Sequence, residues 1–280
     1  MTALESMVDR QRYPIHDPTG PGYREVVEQA REGLRRVGCA RLSDFIRRDA
    51  REPLQREIDG IAGEAHVSGG RITPYFNDDE PSLPESHPRR RFDEFSNGFV
   101  AMDRFPEDGI CLALYRSAEF QRFIADCLEE EALHTFDDPL AGIVANVMEP
   151  GQQLPWHFDT NEFIVSLMTR MPSSGGTFEY CPNIRAPGDE NYPAVQAVLD
   201  GERDRVESLV LRPGDLQIFR GRFALHRVTR APSERHTVLF GYARQPGFIG
   251  RVRRTREVHG RVTQAHIDAE KVARVDGLAD

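Results

Sequence analysis

Lysine is nearly missing from this chain: Lys271 is the only one among 36 basic residues. In bulk the arginine excess reads as codon bias of a GC-rich genome, but any single guanidinium remains a candidate carboxylate ligand. Positive charge is also in deficit, with 45 acidic residues and a net charge of −9. That balance argues against general binding to nucleic acid or to an anionic membrane. No apolar run approaches the roughly 20 residues of a membrane span. The opening MTALESMVDRQRYPIHDPTG lacks the apolar core of a signal peptide. Cysteine is scarce, and Cys39, Cys111, Cys127 and Cys181 form no CxxC pair. A zinc ribbon and a thioredoxin-type motif are therefore excluded. Reduced, mostly buried thiols of a cytosolic protein are expected, which places the chain in the cytoplasm. At 39% hydrophobic and 29% charged residues, the chain is too apolar for disorder and can build a core.

The 280 residues are read as a single domain. Residues 1–138 form a mostly helical N-terminal region, 139–250 a jelly-roll core and 251–280 a C-terminal covering segment. Residues 1–22 read as an extended arm. Tyr23, Val26, Val27, Ala30, Leu34 and Val37 recur at helical spacing, and Gly38 ends that helix. CARLSDF (39–45) reads as a short strand with a turn, and 44–62 as an arginine-rich helix. Residues 64–98, with four prolines and no clean period, read as a lid loop. Ser117 is a candidate N-cap for an amphipathic helix to about Leu133. From 141 onward, seven or eight short β-type runs alternate with Gly/Pro turns, as in a sandwich or barrel of jelly-roll type. The fold class is α+β, with a helical half packed on a β core.

His157-Phe158-Asp159 is the first chemical signal. On a strand, residues i and i+2 share a face, so the imidazole and carboxylate would enter one cavity together. A third ligand from another strand would complete the two-His, one-carboxylate triad of non-haem Fe(II) oxygenases. HxD alone is common by chance, and His266-Ile267-Asp268 is a second copy. That copy lies in a helix-like segment with no later histidine, so it reads as a decoy. His157 and Asp159 keep better company. His226 follows Asp159 by 67 residues, and Arg235 follows His226 by nine, opening the strand RHTVLFGYA. A jelly roll would set that strand beside the histidine strand. Arg235 could then take a carboxylate bidentately at the deep end, with Thr237, two residues on, adding a hydroxyl.

EPGQQLPWHFD, LRPGDLQIFRG, LHRVT and ERHTVLFGY, in this order, resemble the Fe(II)/2-oxoglutarate-dependent oxygenase superfamily over roughly residues 140–250. The resemblance implies a double-stranded β-helix core, with Fe(II), 2-oxoglutarate and O2 as cofactor and co-substrates. It makes His157, Asp159 and His226 the iron ligands and puts the distal carboxylate of 2-oxoglutarate on Arg235 and Thr237. HFDTNEF, GGTFEY and the helical N-terminal half look like a branch of free amino-acid hydroxylases and halogenases. Halogenases of that branch carry a small residue in place of the Asp. Asp159 is retained here, so the resemblance implies hydroxylation of an unactivated C–H on a small polar substrate, a free or modified amino acid.

Other residues keep two readings. Asn146 either faces the cavity and touches 2-oxoglutarate or is an ordinary strand residue. Trp156 and Phe158 read as core packing. Thr160 and Asn161 either line the substrate side or turn the chain. Glu162 either grips a substrate amine or ends a strand in solvent. His236 reads as structural, and His134 and His16 as surface histidines. Arg89-Arg90-Arg91 reads as a solvated charge run, with a lid that holds a substrate carboxylate as the alternative. Two rival functions remain. One is desaturation, cyclisation or epimerisation of a natural-product intermediate by the same enzyme class. The other is a non-catalytic jelly roll that binds a metal or small ligand.

Overall fold

The structure, a computed structural model, describes residues 6–161 and 163–271. The N-terminal half contains α1 (Pro21–Val37), β1 (Cys39–Leu42), α2 (Arg48–Ile61), β2 (His66–Ile72), β3 (Asp93–Val100), α3 (Ile110–Tyr115) and α4 (Ala118–Leu128). There follow β4 (His134–Thr135), β5 (Ile143–Met148), β6 (Leu154–His157), β7 (Phe163–Arg170) and β8 (Phe178–Cys181). The chain continues through α5 (Tyr192–Leu199), β9 (Glu207–Leu209), β10 (Leu216–Phe219), β11 (Leu225–Val228) and β12 (Arg235–Ala243). It closes with α6 (Val252–His259) and α7 (Gln264–Ala269).

The helices form where the apolar period requires them. Tyr23, Val27, Ala30 and Leu34 make the buried face of α1, and Gly38 caps it with φ 66°, a conformation that suits glycine. Ser117 caps α4 by accepting from the Phe120 N–H at 3.2 Å. That helix stops at Glu129, which is left-handed with φ 62°, four residues short of the expected end.

The strands form two antiparallel sheets. The larger runs β1-β10-β7-β12-β5-β3-β2, with β4 on β12; the smaller runs β6-β11-β8-β9. Period-two alternation divides the large sheet's residues between two faces. Ile143, Ala145, Val147, Val165, Leu167, Leu216, Ile218, Val238 and Phe240 join the helices in one buried core. Their alternates, including Asn146, Ser166, Gln217, Phe219 and Thr237, line a cavity that the small sheet closes from the opposite side. The expected double-stranded β-helix core carrying a helical half is therefore the observed fold.

Two readings are corrected. Residues 64–98 are not one loop: β2 pairs with β3 from His66↔Phe99 to Ile72↔Asp93, and only the connection between them is irregular. The pattern hid this hairpin because β2 is a half-exposed edge strand with two glycines, HVSGGRI. The N-terminal arm from residue 6 is also not free. Met7, Val8, Tyr13 and Ile15 are buried, and Val8 bridges to Ile46. Among the described residues, no helix is long and apolar enough to cross a membrane.

Candidate active site

His157 ends β6 and His226 lies on β11, directly opposite in register. Their rings are 4.1 Å apart, centroid to centroid. Each Nδ1 faces the carbonyl two residues upstream, Pro155 O at 2.8 Å and Ala224 O at 2.9 Å. A carbonyl only accepts, so both Nδ1 atoms carry a proton, and Nε2 is the atom each ring turns toward Asp159. Burial, and then the neighbouring His226, push the His157 pKa down to about 3, so its ring is neutral at physiological pH.

Asp159 lies two residues beyond the end of β6, not on a strand as expected. Its N–H donates to Gly221 O at 3.2 Å, and this tie to the β10–β11 turn aims the carboxylate instead. Oδ1 is 3.9 Å from His157 Nε2 and 3.4 Å from His226 Nε2. Burial raises its pKa, but His226 and then His157 outweigh that and hold the carboxyl below its usual range. The three ligand atoms lie within 4.8 Å of one another, the one such His/Cys/Asp/Glu group among the described residues. Two imidazoles that turn Nε2 toward one carboxylate are a donor set that fits a single divalent ion.

Arg235 opens β12, which pairs with β5 and β7 in the large sheet. The expectation that β12 lies beside the histidine strand is not met: β11 belongs to the small sheet, and Arg235 faces the triad across the cavity. Crossing between sheets lets residues nine apart reach opposite walls. Arg235 is 4% exposed, donating from Nε to Gly176 O at 3.1 Å and from Nη1 to Thr237 Oγ1 at 2.7 Å. Burial alone pushes its pKa down to about 10, and no carboxylate among the described residues offsets the charge. A buried, uncompensated guanidinium is costly unless an anion joins it. Gly176 makes space for it, since a Cβ there would stand 3.1 Å from Arg235 Cδ.

Asn146 lines the cavity opposite Thr237. Its amide nitrogen is bound to Asn97 Oδ1 (2.6 Å) and Gly98 O (3.0 Å) on β3. Thr160 and Asn161 also line the cavity, while Glu162 lies outside the described residues. Trp156 and Phe158 are buried in a small apolar cluster, with Arg227 over the first ring and Arg185 over the second. His236 is buried on the helix side, 3.5 Å from Asp59. His16 is exposed and His134 half-buried. The second HxD is structural: fully buried His266 donates from Nε2 to Asp138 at 3.1 Å. All four cysteines are free and buried, with burial pushing Cys39 up to about 12 and Cys181 to about 11. Arg89, Arg90 and Arg91 are each ion-paired, with Glu80, Asp79 and Asp200.

The cavity measures about 890 Å³, within the usual range for a small-molecule site. Sequence reasoning missed several of its walls. Phe76 holds a left-handed backbone (φ 55°) and sets its ring 5.6 Å from that of His157. Gln217 and Arg254 also line it. Gln217 was legible as the polar alternate in LQIF; Phe76 and Arg254 sit in segments with no period to place them.

The halogenase D (HalD) family profile matches residues 23–257. The chain belongs to the halogenase D family. No curated protein matches it. Among solved structures, this HalD-family chain is similar to a prolyl hydroxylase from Trichoplax adhaerens in complex with a hypoxia inducible factor peptide fragment. They share 12% identity, with 81% of this chain and 94% of that one covered, at a TM-score of 0.53. It is also similar to AviO1 from Streptomyces viridochromogenes Tue57 (18% identity, 76% and 93% covered, TM-score 0.51). A third is the non-heme alpha ketoglutarate dependent epimerase SnoN from nogalamycin biosynthesis (11% identity, 78% and 81% covered, TM-score 0.51). At these identities the neighbours speak for the fold. The comparisons thus give the family and the fold, and the site's geometry adds a three-ligand cluster to them.

Proposed function

We propose that this chain hydroxylates an unactivated C–H of a small polar substrate, a free or modified amino acid. In this reading His157, Asp159 and His226 hold Fe(II), and Arg235 with Thr237 takes the distal carboxylate of 2-oxoglutarate. The observation that carries it is the pairing, in one cavity, of a three-ligand cluster with a buried guanidinium that has no counter-ion among the described residues. Asn146 borders the same end and offers its carbonyl oxygen as an acceptor. With Fe(II) held there, O2 would be the oxidant: one of its atoms would enter the substrate C–H as hydroxyl and the other would enter 2-oxoglutarate, released as succinate and CO2. The chain's own part is placement: Arg235 fixes one end of the co-substrate, the Nδ1 bonds fix both imidazoles, and the enclosing walls exclude water.

Hydroxylation rather than halogenation is supported by Asp159, whose carboxylate occupies the third ligand position. A free small molecule is favoured over a substrate tethered to an acidic carrier by the net charge of −9, because like fields slow docking. The test is anaerobic addition of Fe(II) and 2-oxoglutarate, following the visible charge-transfer band in wild type and in Arg235→Ala. A band that weakens in the variant is expected, as is succinate release stimulated by at least one amino acid. Alanine at His157, Asp159 or His226 should abolish that release. No band in wild type, or normal turnover in a triad variant, sinks the reading.

A further inference from the structure

Arg235 does not stand alone in the cavity. Arg254, on α6, lines the same space. Its guanidinium carbon stands 4.0 Å from the Phe76 ring centroid, and that ring is 5.6 Å from the His157 ring.

Two other arginines of the cavity are tightly engaged with carboxylates. Arg89 is 2.5 Å from Glu80, and Arg253 grips Asp78 with both terminal nitrogens at 2.8 Å. Arg253 also donates to Glu257 at 3.1 Å. Arg254 has only the looser share of that same carboxylate, at 3.5 Å, beyond the usual hydrogen-bond range. Phe76 holds one face of the guanidinium, and Nη1 keeps its long pairing with Glu257. A guanidinium takes a carboxylate bidentately and fixes its plane as well as its position. 2-Oxoglutarate has the deep site at Arg235, so the anion that suits Arg254 belongs to the other substrate.

We propose that Arg254, braced on Phe76, binds the carboxylate of the substrate that is oxidised and so sets how far the reacting carbon lies from the His157–Asp159–His226 centre. This rests on the reading of the cavity as an Fe(II)/2-oxoglutarate site, and it makes Arg254 a determinant of specificity for carboxylate-bearing substrates.

The enzyme loaded with Fe(II) and 2-oxoglutarate is titrated anaerobically with each of the twenty L-amino acids, and perturbation of the charge-transfer band is followed. Each binder is compared with the amine that lacks its carboxylate. At least one amino acid should perturb the wild-type band, and removing its carboxylate should weaken binding about 10- to 100-fold, the effect of one charge-assisted bidentate contact. Arg254→Gln should lose the same factor for the acid, cease to distinguish acid from amine and leave 2-oxoglutarate affinity unchanged. Arg254→Lys should recover part of the loss, and in turnover the change should appear in KM more than in kcat. The proposal is overturned if wild type binds the amine as tightly as the acid, if Arg254→Gln still prefers the acid, or if that variant weakens 2-oxoglutarate itself. It is also overturned if the band forms but no amino acid perturbs it. Absence of the band in wild type is a different result and removes the underlying reading instead.

Discussion

A single methyl group at position 221 would test the proposed centre without altering any ligand. Gly221 follows β10, and a Cβ built there would stand 1.7 Å from Asp159 Oδ2 and 2.6 Å from its Cγ. Side-chain carbons essentially never come within 3.0 Å of such a neighbour, so the carboxylate must move by more than an ångström. Gly221 is not among the residues with positive φ, so alanine suits the backbone and the effect is steric. Metal sites tolerate bond-length changes of about 0.2 Å, so the shift withdraws one of three ligands. Loss of an outer-shell partner alone weakens metal binding about 10- to 100-fold. Gly221→Ala should therefore weaken Fe(II) at least about 100-fold, roughly 2.8 kcal/mol. Anaerobic titration of the 2-oxoglutarate charge-transfer band measures this, with the melting temperature of the metal-free protein as control. The decisive comparison is with Asp159→Gly and the double variant. If Gly221 acts only through the carboxylate, the double variant is no worse than Asp159→Gly alone. A wild-type titration for Gly221→Ala, or losses that add, would refute the argument.

Three further outcomes are expected. Arg235→Met should abolish stabilisation by 2-oxoglutarate while leaving the metal-free melting temperature within a few degrees. Relief of the buried charge, about 3 kcal/mol from a pKa lowered to about 10, offsets the Gly176 carbonyl's lost donor, worth about 1–3 kcal/mol. A drop of ten degrees or more would contradict this. Burial pushes His259 down to about 4, so the unfolded chain binds its proton first as pH falls below the ordinary 6.5. Its contribution is intact above 6.5 and is lost between there and 4, at about 3 kcal/mol. Denaturant unfolding of metal-free His259→Gln should accordingly vary less across that window than wild type. Asp138 is fully buried and accepts from the Leu140, Ala141 and Gly250 N–H groups at 2.7, 2.9 and 2.8 Å as well as from His266. Asp138→Ala strands those donors and should destabilise the fold by at least about 3 kcal/mol, read as a lower denaturant midpoint.

Much of the β core was legible because its signals are local. Short apolar runs with turn glycines between them admit few architectures, and period two put Arg235 and Thr237 on one face before any partner strand was known, while Asn146 kept two readings. The 64–98 hairpin was not legible, since an exposed edge strand needs no apolar alternation and its pairing with β3 is a non-local fact. The second HxD shows the same limit from the other side. His266 and Asp268 have the motif, but His266 is spent on Asp138, 128 residues away in the chain.

By itself, the order of HxD, distal histidine, arginine and hydroxyl residue pointed to a class of chemistry, because it supplies two imidazoles, a carboxylate and an anion-binding guanidinium in the order the resembled superfamily uses. Tertiary structure decided the rest. It set Arg235 across the cavity from His226 rather than beside it, placed Asp159 beyond its strand against a glycine, and brought Phe76 and Arg254 together in the cavity. Those placements depend on sheet pairing and on contacts between segments nearly 180 residues apart, and no spacing along a chain encodes the distance between two such segments.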